Sequence, residues 1–127
     1  MDIIDTDVLG LFYVATFGEK LYYTNNCTGT VTCCDLHGTT RWEFTDKHVL
    51  RGSSGISVDN DENVYVGGYH SNNVVVISPD GQRHRQLLSS KDSLSSPSVL
   101  DYDKSTNRLL VVNDRGTAFL FDVTRGK

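Results

Sequence analysis

The sequence lacks the features that mark several large classes of protein. Its 12 lysines and arginines stand against 16 aspartates and glutamates, whereas nucleic-acid-binding domains usually carry positive charge because phosphate contacts supply much of their affinity. No basic residue occurs among the first ten, so no signal peptide is predicted. The longest apolar stretch, residues 8–15, is too short to span a bilayer. We therefore expect a cytoplasmic protein that makes no use of a membrane.

Cysteine is also scarce. Cys33 and Cys34 are neighbours in a predicted strand, where successive side chains point to opposite faces. With Cys27 they make an odd number, which favours reduced thiols over a disulfide framework. Together with His37 they lack the regular spacing and the geometry of a tetrahedral zinc site. No metal or other cofactor is predicted.

Motifs of catalysis and of calcium binding are missing or incomplete. The histidines fall in different turns and loops, and there is no G-x-S-x-G elbow, H-E-x-x-H helix, P-loop or dinucleotide fingerprint. Asp59, Asp61 and Asn63 have the spacing that opens a calcium loop, but Val64 and His70 stand where an EF-hand needs glycine and glutamate. We expect a turn there and no enzymatic activity in the chain.

What the sequence does contain is a repeat with a period of 43 to 45 residues. One run of each copy is rich in Leu, Val and Tyr: LYYT at residues 21–24, VYVG at 64–67 and LLVV at 109–112. A second run follows it, as TVTCCD at 30–35, NVVVIS at 73–78 and TAFLFD at 117–122. Short apolar runs and turns at this period are typical of β-propeller blades, which have four strands each.

The second copy divides most clearly into strands. The four strands, a to d, are predicted at residues 56–58, 63–66, 74–77 and 85–88. Pro79, Asp80 and Gly81 are suited to the turn between strands c and d, since proline fixes φ and glycine accepts positive φ. Strand c of this copy is apolar throughout, which indicates a sheet that is covered on both faces.

We predict an all-β fold of about three four-stranded antiparallel blades. The whole chain, 1–127, forms one partial propeller, with blade copies at approximately 12–50, 55–90 and 97–127. The third copy stops short of a strand d. Residues 1–8 are predicted to be the outer strand of a preceding or partner blade.

Three segments resemble NHL repeats, the propeller type found at the C-terminus of tripartite-motif (TRIM) proteins. They are SGISVD at residues 54–59, NVYV at 63–66 and NVVVISPDG at 73–81, within a resemblance that extends over 12–121. The resemblance implies the C-terminal half of a six-bladed ring. It also implies a protein-binding module that serves as the recognition part of a TRIM-like E3 ubiquitin ligase. The RING, B-box and coiled-coil motifs of such ligases are not found in these residues, so ubiquitin transfer would belong to a longer relative.

Half a ring has exposed ends. An apolar sheet face of roughly 500 Å² left in water forfeits on the order of 12 kcal/mol, which is comparable to the stability of a whole domain. We therefore expect self-association, and one closed solution is a head-to-tail homodimer in which residues 2–5 of each chain complete the third blade of the other.

Candidate partner-binding residues lie in the turns between strands b and c, which share one face with the connections between blades. Tyr69 and His70 lead this set, because an amphipathic aromatic pair is useful at interfaces. The full set is Asn25, Asn26, Tyr69, His70, Asn72, Asn113, Asp114 and Arg115. Asn, Asp and Gly at these places also suit tight turns without any partner.

Other readings of the chain stay open at this stage. An RNA-binding face would require basic loops despite the net charge of −4. A propeller hydrolase or lyase would require metal ligands on strands a, where no ring of carboxylates or histidines is found. The cluster of Arg83, His84 and Arg85 suits an acidic partner or, more simply, a solvent-facing outer strand. A truncated product without an independent role is the last alternative.

Overall fold

A computed structural model describes residues 12–123 of the chain. This part consists of three antiparallel sheets, which we call blades 1, 2 and 3, and one short 3-10 helix, Ser90–Asp92. Blade 1 contains β1 (Phe12–Phe17), β2 (Lys20–Asn25), β3 (Thr30–Asp35) and β4 (Thr40–Phe44). Blade 2 contains β5 (Ser53–Val58), β6 (Val64–Gly68), β7 (Asn73–Ile77) and β8 (His84–Leu88). Blade 3 contains β9 (Pro97–Asp103), β10 (Arg108–Asn113) and β11 (Ala118–Asp122).

Each strand pairs with the next one along the chain, so every blade is an up-and-down meander. In blade 2, Val66 of β6 is opposite Ile56 of β5 on one side and Val75 of β7 on the other. The predicted all-β class is confirmed, and the four strands predicted in the second copy are all present. The predicted strand at residues 1–8, and with it the strand exchange of the homodimer, lies outside the described residues.

Two hydrophobic cores lie on the two faces of blade 2. Val64, Val66 and Ile77 face the core shared with blade 1, together with Tyr22 and Trp42. Tyr65 and Val74 belong to the other core, where Tyr65 stacks on Tyr102 of blade 3 with ring centroids 5.4 Å apart. The expectation that strand c of this copy is covered on both faces is therefore confirmed.

The inner strands of adjacent blades approach closely. A Cβ atom on Gly55 of β5 would lie 2.7 Å from the backbone nitrogen of Leu100 and 2.7 Å from the carbonyl oxygen of Ser98. Thr24 donates a hydrogen bond to the Ser54 carbonyl of blade 2, and the Ser54 hydroxyl donates to the Pro97 carbonyl of blade 3. Blades 1 to 3 are thus joined at their inner ends by buried hydrogen bonds as well as by apolar contacts.

The outermost strand of blade 3 differs from the equivalent strand of blade 2. β11 is apolar in sequence, yet its residues alternate between exposed and half-buried. Phe119 and Phe121 pack on the core shared with blade 2, whereas Leu120 points the other way and is 57% exposed. The reason is that no described sheet covers the far face of blade 3.

Candidate binding face

The turns and connections at one end of the blades form a continuous surface, which we call the loop face. It consists of the β2–β3, β6–β7 and β10–β11 turns, residues 26–29, 69–72 and 114–117, and the connections between blades, residues 45–52 and 89–96. In an up-and-down sheet alternate turns fall at the same end, and a connection to the next blade joins them there. Contacts between blades hold these segments in place.

Tyr69 spans the junction of blades 2 and 3. Its hydroxyl donates a 2.8 Å hydrogen bond to Oδ2 of Asp114, 45 positions away in the chain. This hydrogen bond to a carboxylate is the main reason why the pKa of Tyr69 is raised, since the bond favours the protonated phenol. The ring stays half-buried and is fixed in orientation. Two of the residues predicted to bind a partner, Tyr69 and Asp114, therefore bind each other across blades.

Asn72 also joins blades 2 and 3. Its Oδ1 accepts from the backbone N–H of Ser96, and the carbonyl of Ser96 in turn accepts from the backbone N–H of Asp114. Together with the hydrogen bond from Tyr69 to Asp114, these contacts join the β6–β7 turn, the connection before blade 3 and the β10–β11 turn. The side chain of Asn72 thus orders the loop face.

His70 is exposed on the blade 1 side of Tyr69. The two rings are perpendicular, with centroids 5.1 Å apart. The backbone N–H of His70 donates to the carbonyl of Arg51, which anchors the turn to the connection between blades 1 and 2. The imidazole lies over Gly52, where a Cβ atom would be only 2.5 Å from Cδ2 of His70. Tyr69 and His70 thus form an aromatic pair at the surface, and its binding of a partner stays a prediction.

Asn25 and Asn113 are not surface residues. Each ends the second strand of its blade and is buried, with 5% and 7% exposure. Oδ1 of Asn25 accepts from the backbone N–H groups of Cys27 and Thr28. Asn113 accepts from Ser95 N–H and donates to the carbonyl of Ser93, which fixes the connection before blade 3. The side-chain oxygen of Asn25 and both polar atoms of the Asn113 amide are used within the fold, as the turn-forming alternative anticipates, so we leave the two residues out of the candidate binding face.

The remaining predicted residues lie at the margins of the loop face. Asn26 is half-buried and its amide points to the carbonyl of Ser53 at 3.4 Å. Arg115 is exposed in the β10–β11 turn. The structure adds Lys47 and Arg51, which the sequence analysis did not single out. Both are exposed cations in the connection between blades 1 and 2, beside His70.

The charge of the loop face differs from that of the chain as a whole. Its segments contain four cations, Lys47, Arg51, Lys91 and Arg115, against three aspartates, whereas the whole chain has a net charge of −4. The excess of carboxylates therefore lies elsewhere. A surface of nearly balanced charge is not the extended basic track that RNA binding requires.

The opposite face contains the turns rich in acidic residues. A cavity of about 680 Å³ opens there between blades 1 and 2, next to the 2.7 Å ion pair between Lys20 and Glu62. The turn containing Asp59 is on the same side. Asp59 is fully buried and accepts from Asp61 N–H, from Asn63 and from the Tyr65 hydroxyl. The local interactions of this segment are those of a turn between two strands.

Arg83, His84 and Arg85 are exposed at the start of β8, the outer strand of blade 2. This is the solvent-facing position that the simpler interpretation of the basic cluster predicts. Across residues 12–123, no three His, Cys, Asp or Glu side chains are grouped so as to hold a metal ion. The same part of the chain has no helix with the length and hydrophobicity of a transmembrane helix.

The arrangement of the blades resembles that of a known enzyme. Two structures of virginiamycin B lyase from Staphylococcus aureus align with the chain, each with a TM-score of 0.61. One is a catalytically inactive variant with quinupristin, at 15% identity, and the other is the selenomethionine-substituted protein, at 16% identity. The blades are those of a β-propeller.

The alignments cover 87% and 91% of this chain but 40% and 42% of the lyase chains. The chain thus spans about two fifths of the length of these propellers. At such low identity the likeness establishes the fold alone. No family model and no curated protein matches the sequence.

Proposed function

We propose that the chain is a protein-binding unit of a β-propeller, which holds a segment of its partner on the loop face. The observation that carries this proposal is the fixed aromatic pair of Tyr69 and His70 at the junction of blades. An aromatic side chain that is already ordered loses little conformational entropy when a partner covers it. Aromatic residues of this kind are the common anchors of protein interfaces.

We also propose that the blades are of the NHL type. The support is the resemblance of residues 54–59, 63–66 and 73–81, which fall on β5, β6 and β7 and on the turn that follows. On this proposal the loop face is the recognition surface of a TRIM-like ligase, and ubiquitin transfer would require a RING outside these residues.

Selection of peptides from a random display library on the immobilised chain tests the binding function. We expect convergent sequences that bind the purified chain and that lose at least tenfold in affinity to Tyr69→Ala or His70→Ala. His37→Ala is the matched control, because His37 is an exposed histidine in a turn on the opposite face. Convergent peptides that bind all three variants equally would contradict the proposal.

We propose that a second copy of the chain packs on the open faces of blades 1 and 3. Val14 of β1 is 60% exposed, and Val99 and Leu120 of blade 3 are 49% and 57% exposed. All three point away from the cores that flank blade 2. Two such chains placed head to tail would bring six blades together, in agreement with the ring size that the resemblance implies.

Light scattering coupled to size exclusion tests the association. We expect twice the chain mass of 14.1 kDa at micromolar concentration, and a shift toward the monomer for Leu120→Asp. The matched control is Leu36→Asp, since Leu36 is 49% exposed in the β3–β4 turn and does not lie on the open face of blade 1 or blade 3. A stable monomer with cooperative unfolding would contradict the proposal.

A further inference from the structure

A small pocket opens on the loop face where blade 1 meets blade 2. Its volume is about 310 Å³. The β2–β3 turn forms one wall through Asn26, Cys27 and Thr28, and the connection between the blades forms the other through Lys47 and Arg51. His70 of the β6–β7 turn closes the third side. The pocket is therefore continuous with the aromatic pair described above.

Every charged residue that lines this pocket is basic. The lining contains Lys47 and Arg51, with His70 as a titratable neighbour, and it contains no aspartate or glutamate. Among the described residues, neither Lys47 nor Arg51 takes part in a salt bridge. One N–H of the Arg51 guanidinium donates to the backbone carbonyl of Lys47, which positions the Arg51 side chain along the wall that also carries Lys47.

The backbone of the connection is anchored at Arg51. The N–H of Arg51 donates to the hydroxyl of Ser71, and the carbonyl of Arg51 accepts from the N–H of His70. The wall that carries the cations is thus attached to the turn that carries the aromatic pair. An anion in the pocket and an apolar group against Tyr69 would be bound by one rigid surface.

We infer that this pocket binds a carboxylate side chain of the partner, so that the loop face recognises an acidic peptide segment next to an apolar or aromatic residue. This inference rests on the proposed function, because it names the chemistry of the same partner. An ammonium and a guanidinium on one wall match a carboxylate in charge and in hydrogen-bond donors. RNA is the less favoured ligand, because the pocket is isolated and Asp46, Asp92 and Asp114 occupy the same face.

Cys27 offers a direct probe of the pocket. It lines the pocket and is exposed, whereas Cys33 and Cys34 are buried. The measured quantity is a ratio of two rates. It is the rate at which the Cys27 thiol reacts with the dianionic reagent 5,5′-dithiobis(2-nitrobenzoate), divided by its rate with neutral 4,4′-dithiodipyridine. Because the same thiolate attacks the disulfide of both reagents, the ratio of the rates reports the local electrostatic potential. We expect Lys47→Gln with Arg51→Gln to lower this ratio roughly three- to tenfold at low salt, and 0.5 M NaCl to remove the difference.

The matched control is Arg41→Gln with Lys104→Gln, which removes the same charge from exposed positions away from the loop face. We expect this variant to keep the ratio of the unmodified chain. Circular dichroism melts of both double variants verify that they fold. An unchanged ratio in the Lys47 and Arg51 variant would overturn the inference.

Binding is tested by protection of Cys27 from the neutral reagent. Hexaglutamate should slow the reaction of the unmodified chain at low salt, hexalysine should not, and the protection should be lost in the Lys47 and Arg51 double variant. Dodecauridylate that protects better than hexaglutamate would overturn the inference in favour of RNA.

The two proposals fail in different ways. Library peptides that need Tyr69 but contain no acidic residue would support the binding function and overturn the acidic partner. Protection by hexaglutamate without any Tyr69-dependent peptide would support the binding of carboxylates in the pocket and overturn the aromatic pair as a protein-binding site.

Discussion

The indole N–H of Trp42, in the outer strand of blade 1, donates a 3.0 Å hydrogen bond to the carbonyl oxygen of Pro79 in blade 2. The same indole ring covers Gly81, where a Cβ atom would lie 2.5 Å from Cδ2 of Trp42. The turn that the sequence marks with proline and glycine therefore has two roles. It closes the β7–β8 hairpin and it receives the side chain that joins the outer edges of the two blades.

Gly81→Ala should destabilise the chain for two reasons. Gly81 has a φ of +75°, which costs an alanine about 1 kcal/mol, and the new methyl group would displace the indole ring. We expect a loss of about 2–4 kcal/mol in the free energy of unfolding, measured by urea denaturation. Gly116→Ala is the control, because Gly116 has a φ of +89° but no atom within 4 Å of the added Cβ. Equal losses in the two variants would show that the contact with Trp42 is unimportant.

Gly55→Ala tests the close approach of the inner strands. The added Cβ would meet the backbone of Ser98, Val99 and Leu100 at 2.7–2.9 Å, and backbone atoms cannot move aside as a side chain does. We expect a loss of roughly 2–3 kcal/mol and a weaker contact between blades 2 and 3. Hydrogen exchange should show faster exchange in β9 than in β3. A variant with unchanged stability would contradict the geometry at this junction.

Thiol counting should distinguish the three cysteines. Cys27 is exposed, whereas Cys33 and Cys34 are buried, and burial is the main reason why their thiol pKa values are raised. We expect one fast-reacting thiol in the folded chain and three in 6 M guanidinium chloride. Cys27→Ser should remove the fast reaction and leave the folded stability within about 0.5 kcal/mol. Rapid reaction of two thiols in the folded chain would contradict the burial of β3.

Acid stability should depend on three turn aspartates. Hydrogen bonds from Thr39 N–H, from the Ser78 hydroxyl and from the Ser105 hydroxyl are the main reasons why the pKa values of Asp35, Asp80 and Asp103 are lowered. A lowered pKa in the folded state stabilises the fold above the ordinary aspartate value, about 3.9, and this stabilisation is lost as pH falls below it.

The midpoint of urea unfolding, measured between pH 7 and pH 2, tests this prediction. We expect the unmodified chain to lose stability steadily below about pH 4. The variant with asparagine at all three positions should start less stable at pH 7 and change less with pH. Glu19→Gln with Asp101→Asn, at two exposed acidic positions, serves as the control for general charge removal. Parallel pH profiles in all three proteins would show that the turn carboxylates are not the titrating groups.

Much of blade 2 could be predicted from the sequence because local signals agree there. The turn at Pro79 and Gly81 is marked by residue types that few other conformations favour, and β7, the strand before it, is almost entirely apolar. The predicted strands begin and end within a few residues of those observed. The resemblance and the periodicity both predict a series of similar sheets, and the structure contains three antiparallel sheets in succession along the chain.

The candidate site was harder to predict, for reasons of packing. Asn25 and Asn113 each stand at the start of a turn in both the sequence and the structure. The partners of Asn25 lie in its own turn, whereas those of Asn113 lie in the connection before blade 3 and are brought to it only by the packing of that connection. Their equivalent positions in two copies, each followed closely by a glycine, could have indicated a structural role. Lys47 and Arg51 lie in a connection without periodicity, and their proximity to Cys27 and His70 arises only when two blades pack.

The presence of a separate core on each face of blade 2 has a consequence for how the chain folds. Blades 1 and 3 each bury one face against blade 2, so neither has a complete core until the middle sheet has formed. In such a linear array the end units unfold first and the centre last, because each unit is stabilised by its interfaces with its nearest neighbours and the end units have only one such interface. The segment from Ser53 to Leu88 should therefore behave as the folding nucleus. A destabilising substitution in this segment should lower the stability of blades 1 and 3 together.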